Sequence, residues 1–375
     1  MYPNTLQQSK LNQFMGTSRF IYNLFLDKKN KLYEETQENY NLKEMKKDIL
    51  KIYTDYEWLK DVDSTIIRTS LDDLDKAFTN FFKKRASHPK FKKKNNHDTY
   101  RTFAIRSTYK ENNYCNIKVD LKDRTIKLPK IDKIKIRGYR NINTFEDKKI
   151  LSATISKESI KYYVSVLVEE DIDIIEFHLR NVIGIDLGIK NLLTTSDGIK
   201  YDPMPQIKRI EKKIKGLNKW LARTQKGSKN REKVKNKLSR VYQKLKNIRK
   251  YYTHSITSKI VKNNDLIVIE DLQVKDMIKQ SNKTLTKLLT NSTLSEIIRQ
   301  LKYKSKWKSK KIIQVNRYYA SSKICSHCGT KNNVNNLNIR EWECARCHSI
   351  NDRDINASEN IMYEGIISYI KEQVA

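Results

Sequence analysis

The sequence predicts an α/β multidomain chain, and three observations predict it. The first 90 residues carry apolar side chains at helical spacing. Residues 100 to 175 alternate apolar and polar positions as strands do. Beyond Val182, short apolar runs ending in acids alternate with long basic helical patterns. With 375 residues the chain has room for two or three modules.

Composition narrows the partners. Lys+Arg is 76 against Asp+Glu 43, a formal net charge of +33. An excess of that size points to a polyanion held by counterion release, with nucleic acid the natural class. A highly charged solvated surface is the plainer alternative. Tyrosines number 21, many beside a cation: Arg19-Phe20, Tyr100-Arg101, Arg249-Lys-Tyr-Tyr252 and Arg317-Tyr-Tyr319. Such pairs can stack on bases, although core or surface tyrosines account for most of them. No apolar run approaches the roughly 20 residues of a membrane span, and with no charged start followed by an apolar h-region, no signal peptide is expected. Five cysteines, four of them paired as CxxC with Cys115 left over, point to metal in a reducing, cytoplasmic compartment.

In chain order, Leu11, Phe14, Phe20, Ile21 and Leu24 open a helix. Leu71, Leu74, Ala77, Phe78, Phe81 and Phe82 form a stronger stripe; both read as packing faces. Pro89 is expected to stop that helix. The following loop, His88-Pro-Lys-Phe-Lys-Lys-Lys94, places Lys90, Phe91 and Lys92 as candidate nucleic-acid contacts, with a solvated linker as the alternative. Thr125 to Pro129 and Lys133 to Arg137 read as strands, and Ile150–Ile155 and Tyr162–Val168 as a hairpin around Ser156 to Ser159. A small antiparallel barrel or sheet follows from these, its alternate basic residues sharing a face.

Val182-Ile-Gly-Ile-Asp186 is an apolar strand carrying an acid, followed by a bend and a returning strand before Asp197-Gly198. Ile207 to Leu221 and Val234 to Ile260 keep steps of 3 or 4, a helical hairpin turning at Gly227-Ser228. Asp265 to Glu270 is a second buried-type strand ending in an acid. A basic helix around Ile297 to Trp307 and a strand at Ile312 to Val315 complete the pattern before the cysteines.

Two constellations carry chemistry. Cys325, Cys328, Cys344 and Cys347 have C-x2-C-x15-C-x2-C spacing, which suits a closed, tetrahedral, structural zinc site. His327 and His348 lie beside the thiolates as alternative ligands. The second constellation is Asp186, Glu270 and a third acid from Asn351-Asp-Arg-Asp354. Carboxylates gathered at strand ends repel one another unless divalent cations sit between them, and two Mg²⁺ ions so held can hydrolyse a phosphodiester. Asp352 and Asp354 compete for the third place; Asp352 could instead cap the next helix.

The stretches Gly184-Ile-Asp-Leu-Gly-Ile-Lys-Asn191, Ile269-Glu-Asp-Leu272, Ser321 to Gly329, Arg340-Glu-Trp-Glu-Cys344 and Asp352-Arg-Asp-Ile-Asn-Ala357 resemble the TnpB family. These are OrfB-type proteins of insertion sequences, related to type V CRISPR nucleases. Ser18 to Asn23, Leu74 to Lys84 and His88 to Lys92 agree more loosely, so the resemblance spans nearly the whole chain. It implies a RuvC-type, RNase H-like nuclease domain at 179–375 with a zinc-ribbon module at 321–350. It further implies a helical recognition domain at 11–97 inserted in a wedge-like β-barrel made of 1–10 and 98–178. The implied activity is RNA-guided DNA cleavage beside a short flanking motif. The implied partners are a guide RNA from the transposon end and double-stranded target DNA, the implied cofactors two catalytic Mg²⁺ ions and a structural Zn²⁺. Carried over by motif, the catalytic acids are Asp186, Glu270 and Asp354, because the family's third acid stands two residues before Asn-Ala. Arg353 falls near the scissile phosphate, and Arg19 joins Lys90, Phe91 and Lys92 as a nucleic-acid contact.

Three departures stand out. Family members begin with a basic strand leading into Tyr-Pro, whereas Met1-Tyr2-Pro3 opens here, so the first wedge strand is expected to be missing. His348 follows Cys347 where glycine is usual, and Ser358 replaces a second alanine. Two other functions compete. A cleavage-poor RNA-guided DNA-binding protein or repressor would be expected to lose acids that this chain keeps. A transposase acting directly on transposon ends would need a Tyr or Ser recombinase constellation, and none is evident.

Overall fold

The computed structural model describes residues 1–94, 97–107, 114–137, 149–171, 177–204, 206–282, 286, 289, 293–332 and 339–374. The chain divides into two compact units, Met1–Asp171 and Ile172–Ala375.

The first unit begins with a single long helix, α1 (Thr5–Thr36). Asn4 accepts from the Gln7 amide while the Gln7 side chain accepts from the Asn4 amide, a reciprocal cap. Short helices α2 (Leu42–Lys47) and α3 (Ile49–Asp55) lead to α4 (Ser64–Phe82). Ile21, Phe25 and Leu26 of α1 bury against Ile67, Leu71, Leu74 and Phe78 of α4, the stripe expected from periodicity.

The end of α4 differs from expectation. It stops at Phe82, seven residues before Pro89. Lys84 takes a left-handed φ of 55°, and the Arg85 amide turns back to the Asn80 carbonyl at 2.8 Å. Pro89 is buried, and the neighbouring His88 ring sits edge-on to Phe78 and Phe81.

Among the described residues eight strands follow: β1 (His97–Phe103), β2 (Arg106–Ser107), β3 (Tyr114–Cys115), β4 (Lys118–Asp120), β5 (Thr125–Leu128), β6 (Ile131–Lys135), β7 (Lys149–Glu158) and β8 (Lys161–Glu169). They form three separate antiparallel sheets, β1-β7-β8, β4-β5-β6 and β2-β3. The β7–β8 turn is tighter than the sequence suggested. Glu158 pairs with Lys161, leaving only Ser159 and Ile160 at the tip, with Ser159 at φ 59°. Tyr100, Ala153, Ile155 and Tyr162 from the long sheet and Ile126, Leu128, Ile131 and Ile134 from the short one share a core with Leu11, Phe14 and Met15 of α1. Lys127, Lys133 and Lys135 are exposed along β5 and β6.

The second unit is built on one mixed sheet. Its strands are β9 (Val182–Leu187), β10 (Leu193–Thr195), β11 (Lys200–Tyr201), β12 (Leu266–Glu270) and β13 (Lys311–Val315), in the order β11-β10-β9-β12-β13. β9, β12 and β13 run parallel; β10 and β11 return antiparallel. Between β11 and β12 stands the expected hairpin, α5 (Gln206–Arg223) and α6 (Lys229–Asn263), with Gly227 at φ 84° and Ser228 capping α6. Helices α7 (Val274–Gln280) and α8 (Leu294–Trp307) follow β12. A β-hairpin, β14 (Glu341–Glu343) with β15 (Ile350–Asp352), leads into α9 (Arg353–Val374).

Alternation along β12 assigns the two faces of the sheet. Ile267 and Ile269 pack with Ile256 and Ile260 of α6 and Ile297 and Leu301 of α8. Leu266 and Val268 pack with Ile361 of α9 on the other side. Helix α9 lies unusually close. A Cβ on Gly184 would stand 2.0 Å from the Ser358 carbonyl oxygen, and one on Gly365 would stand 2.3 Å from Val268 Cγ1. Neither position has room for a methyl group. Gly365→Ala is therefore expected to lower unfolding free energy by about 1–3 kcal/mol or more. Gly216→Ala, on open helix surface, should be neutral or stabilising by up to about 1 kcal/mol. Urea unfolding of the two variants compares them directly.

Candidate functional site

Sheet register brings the first two acids together. Ile185 pairs with Ile269 on adjacent parallel strands, so the next residues, Asp186 and Glu270, occupy matching positions about 4.8 Å apart between strands. Asp354 is the second residue of α9, the helix seated on those strands. Burial pushes the Asp186 carboxyl up to about 7, helped by the negative fields of Asp354 and Glu270 and opposed by Arg353 and Arg340. Glu270 is also raised, by burial and then by Asp271. The sequence-predicted trio thus forms one electrostatic cluster.

Asp352 has a different job. Its Oδ1 accepts from the amides of Asp354 and Ile355, both at 3.1 Å, and its Oδ2 pairs with Lys200. It is the N-cap of α9. Burial works against its ionisation, but Lys200 and the two amides outweigh it and hold the carboxyl below its ordinary range. Asp354 faces the cluster. Arg340 Nη1 donates to its two oxygens at 3.0 and 3.3 Å, and Asn191 Nδ2 donates to Oδ2 at 3.1 Å. Arg353 is buried, and its amide donates to the Arg340 carbonyl at 2.7 Å. Arg340 and Asn191 had no role assigned from sequence, although both lie in stretches that carry the family resemblance. Three electrostatically coupled carboxylates at a half-buried spot offer oxygen donors of the kind a hard cation such as Mg²⁺ takes, and a cation there would offset the cost of ionising Asp186 beside two other acids.

The four cysteines converge as their spacing predicts. Their sulfurs all lie within 4.8 Å of one another, with Cys325–Cys347 at 3.7 Å and Cys328–Cys344 at 3.6 Å. Four thiolates about 2.3 Å from a tetrahedral Zn²⁺ would be separated by about 3.8 Å, so the set fits zinc. Backbone amides of Cys347 and Arg346 hold the Cys344 thiol down at about 6. Neither histidine belongs to this group, and His348 Nδ1 instead meets Glu343 at 2.8 Å. Two buried asparagines of α9 tie the first CxxC turn down. Asn356 accepts from the Ser326 amide at 2.8 Å, and Asn356 and Asn360 both donate to the Ile324 carbonyl at 2.7 Å. The helix that carries Asp354 therefore carries the cysteine module as well.

In the first unit, Arg19 and Lys92 line one cavity of about 240 Å³ together with Asp98. Arg19 pairs with Asp98 at 2.7 Å, Lys92 Nζ lies 3.9 Å over the Tyr22 ring, and Asn23 clamps the Lys92 backbone from both sides. Lys90 is exposed and Phe91 is 49% exposed, both outside that cavity's lining. Among the described residues no helix is long and apolar enough to cross a membrane.

Fold and site together define an α/β protein that gathers three acids beside a four-thiolate module. Comparison with known proteins gives that class a family. Family models match at residues 165–281 ("Probable transposase"), 295–361 ("Cas12f1-like, TNB domain") and 1–38 ("Helix-turn-helix domain"). The last stretch is mostly one continuous helix, α1. A curated Escherichia coli K12 protein, "Putative RNA-guided DNA endonuclease InsQ", is 30% identical over 97% of this chain and 90% of its own length. A Streptomyces pristinaespiralis protein named "Putative RNA-guided DNA endonuclease" is 28% identical over 97% and 88%. The fold resembles a chain of the solved "Cas12f1-sgRNA-target DNA complex", with TM-score 0.57, 16% identity, and 95% of this chain and 82% of that one covered. The chain belongs to the TnpB family.

The raised Asp186 carboxyl has a measurable consequence. Its folded value of about 7 lies above the roughly 3.9 of an unfolded aspartate, so folding takes up a proton between them. The stability this contributes is complete below about pH 4 and is lost as pH rises through 7. In buffer free of divalent cations, urea midpoints should fall from pH 5 to pH 8, and Asp186→Asn should flatten that fall. The cysteine set predicts one zinc per chain, with Cys325, Cys328, Cys344 and Cys347 slow towards a thiol reagent until a chelator is added. Metal-free active protein with four freely reacting thiols would remove the zinc assignment.

Proposed function

We propose that this chain is an RNA-guided, Mg²⁺-dependent DNA endonuclease of a transposable element. The observation that carries the reading is the alignment of Asp186 and Glu270 on adjacent parallel strands with Asp354 on the helix against them. The names of the two full-length relatives support the same activity. Under this reading residues 179–375 are a RuvC-type, RNase H-like nuclease domain with a zinc ribbon at 321–350. Residues 1–10 and 98–178 are the wedge, and 11–97 the recognition part. The partners are a guide RNA and a double-stranded DNA target beside a short flanking motif. The guide reads sequence by pairing, while the protein holds backbone and shape.

Asp186, Glu270 and Asp354 are the catalytic carboxylates. Mg²⁺ bound there supplies a water nucleophile active near neutral pH and stabilises the leaving oxygen. The residues around them organise that set. Asn191 and Arg340 orient the Asp354 carboxylate, and Asp352 fixes the first turn of α9 so that Asp354 points at the strands. Arg353, buried beside the cluster, offsets part of its negative charge and stands near the phosphate that would be cut. Arg19, Lys90, Phe91 and Lys92 are the proposed nucleic-acid contacts of the first unit.

Asp186→Ala, Glu270→Ala and Asp354→Ala should each abolish cleavage of a guide-matched plasmid and leave RNA co-purification unchanged. Plasmid nicking at wild-type rate by Asp186→Ala would sink the catalytic assignment. Cleavage or strand joining by protein freed of RNA would favour a directly acting transposase.

A further inference from the structure

The positive charge of this chain is concentrated in one element. Residues 206–263, the α5–α6 hairpin, hold 20 lysines and arginines against Glu211 and Glu232, a net +18 out of the chain's +33. The apolar stripe that periodicity predicted is used inside the hairpin as far as Leu245, and against the sheet at Ile256 and Ile260. Ile214, Leu238 and Leu245 are buried within the hairpin, with Leu217, Leu221 and Val241 packed around them. The cations are left to cover the outside, mostly exposed.

Near the turn the hairpin also holds a concave site. A cavity of about 540 Å³ is lined by Trp220, Asn230, Lys233, Asn236, Lys237 and Arg240, among others. Trp220 is 48% exposed although it is the largest apolar side chain on α5. Lys237 Nζ stands 5.1 Å from its ring centroid. None of these residues belongs to the acidic cluster or the cysteine module. An exposed indole in a pocket ringed by three cations and two amides matches an unpaired base with its flanking phosphates. The ring offers a stacking face, the cations meet phosphate, and the amides of Asn230 and Asn236 offer donors and acceptors for a base edge. Duplex DNA keeps its bases stacked unless a protein flips one out, at the cost of unstacking and unpairing it. A folded RNA presents them in loops and bulges, which is where proteins read RNA.

We propose that the α5–α6 hairpin is an RNA-docking surface on which Trp220 stacks an unpaired base while Lys233, Lys237 and Arg240 hold the adjoining phosphates. The proposal rests on the guided reading above and names where the guide is held. Full-length protein, freed of co-purified RNA, is titrated with a fluorescein-labelled RNA hairpin bearing an adenine-rich loop, at several salt concentrations. Trp220→Ala should weaken binding about tenfold with the salt dependence unchanged, and Trp220→Phe should restore it. The triple variant Lys233→Ala, Lys237→Ala, Arg240→Ala should lower the slope of log affinity against log salt by about 2. Of the quenching of the four tryptophans on binding, the part due to Trp220 should be lost in Trp220→Phe while affinity persists. Unchanged affinity in both the Trp220→Ala and triple variants, with RNA still bound, would overturn the hairpin assignment alone. Complete absence of RNA binding by the wild-type chain would overturn the guided reading too. Equal or tighter binding of single-stranded DNA with the same Trp220 dependence would reassign the surface to DNA and overturn the proposal.

Discussion

The contact on which the second unit depends is the seating of α9 on β9 and β12. Helix and strand backbones approach so closely that only glycine fits at positions 184 and 365. That approach sets where the first turn of α9 falls, and the first turn holds Asp354. A helix held further out by one methyl group would withdraw Asp354 from two strand-borne acids whose own positions are fixed by sheet hydrogen bonding. One face of α9 therefore meets the sheet through Ser358, Ile361 and Gly365, while Asn356 and Asn360 hold the backbone of the first cysteine turn. The catalytic candidate and the metal module share a single rigid support.

Charge in this molecule is divided by function. The acidic cluster is local and half-buried, so desolvation and neighbouring carboxylates act on Asp186 at short range with less screening than at the surface. The basic excess is spread over exposed helix faces, where salt screens it beyond about 10 Å. The two arrangements suit opposite ligands. Mobile surface cations gather phosphate by counterion release. A half-buried set of acids repels phosphate unless cations are held between them, so these three carboxylates would make a phosphodiester unwelcome without metal. Arg340 and Arg353 moderate this conflict, since each opposes the upward push on Asp186.

Much of the site was readable in the sequence because local pattern dictated it. Asp186 and Glu270 end apolar runs rich in β-branched residues, and such runs become adjacent buried strands. The CxxC spacing fixes four sulfurs whatever lies between them. The choice between Asp352 and Asp354 was not readable from local pattern, because both precede a helix and either can cap it. The family motif chose Asp354, and the hydrogen bonds give the two acids different partners: Asp352 receives two amides and a lysine, and Asp354 receives Arg340 and Asn191. Partners far apart in sequence were invisible for the same reason, as Arg19 with Asp98 shows. The early end of α4 was missed because Pro89 is a conspicuous breaker. The left-handed turn at Lys84 uses a residue with no such signature.

The cysteine module departs from the family pattern at a position where the backbone is left-handed. In each CxxC turn the residue after the second cysteine donates its amide to the first cysteine's carbonyl, Gly329 to Cys325 at 2.8 Å and His348 to Cys344 at 3.0 Å. Both residues are left-handed, at φ 73° and 57°. Glycine adopts that conformation freely, and a side chain there costs on the order of 1 kcal/mol. His348 accepts this strain because the turn it closes is the one that aims Cys344 and Cys347 at the other two sulfurs. The contact of its ring with Glu343 is exposed and returns little of the cost. The second turn therefore leans on the thiolate cluster more heavily than the first. Since β15 runs from that turn directly into Asp352 and α9, metal held by the cysteines would support the residue that caps the helix carrying Asp354.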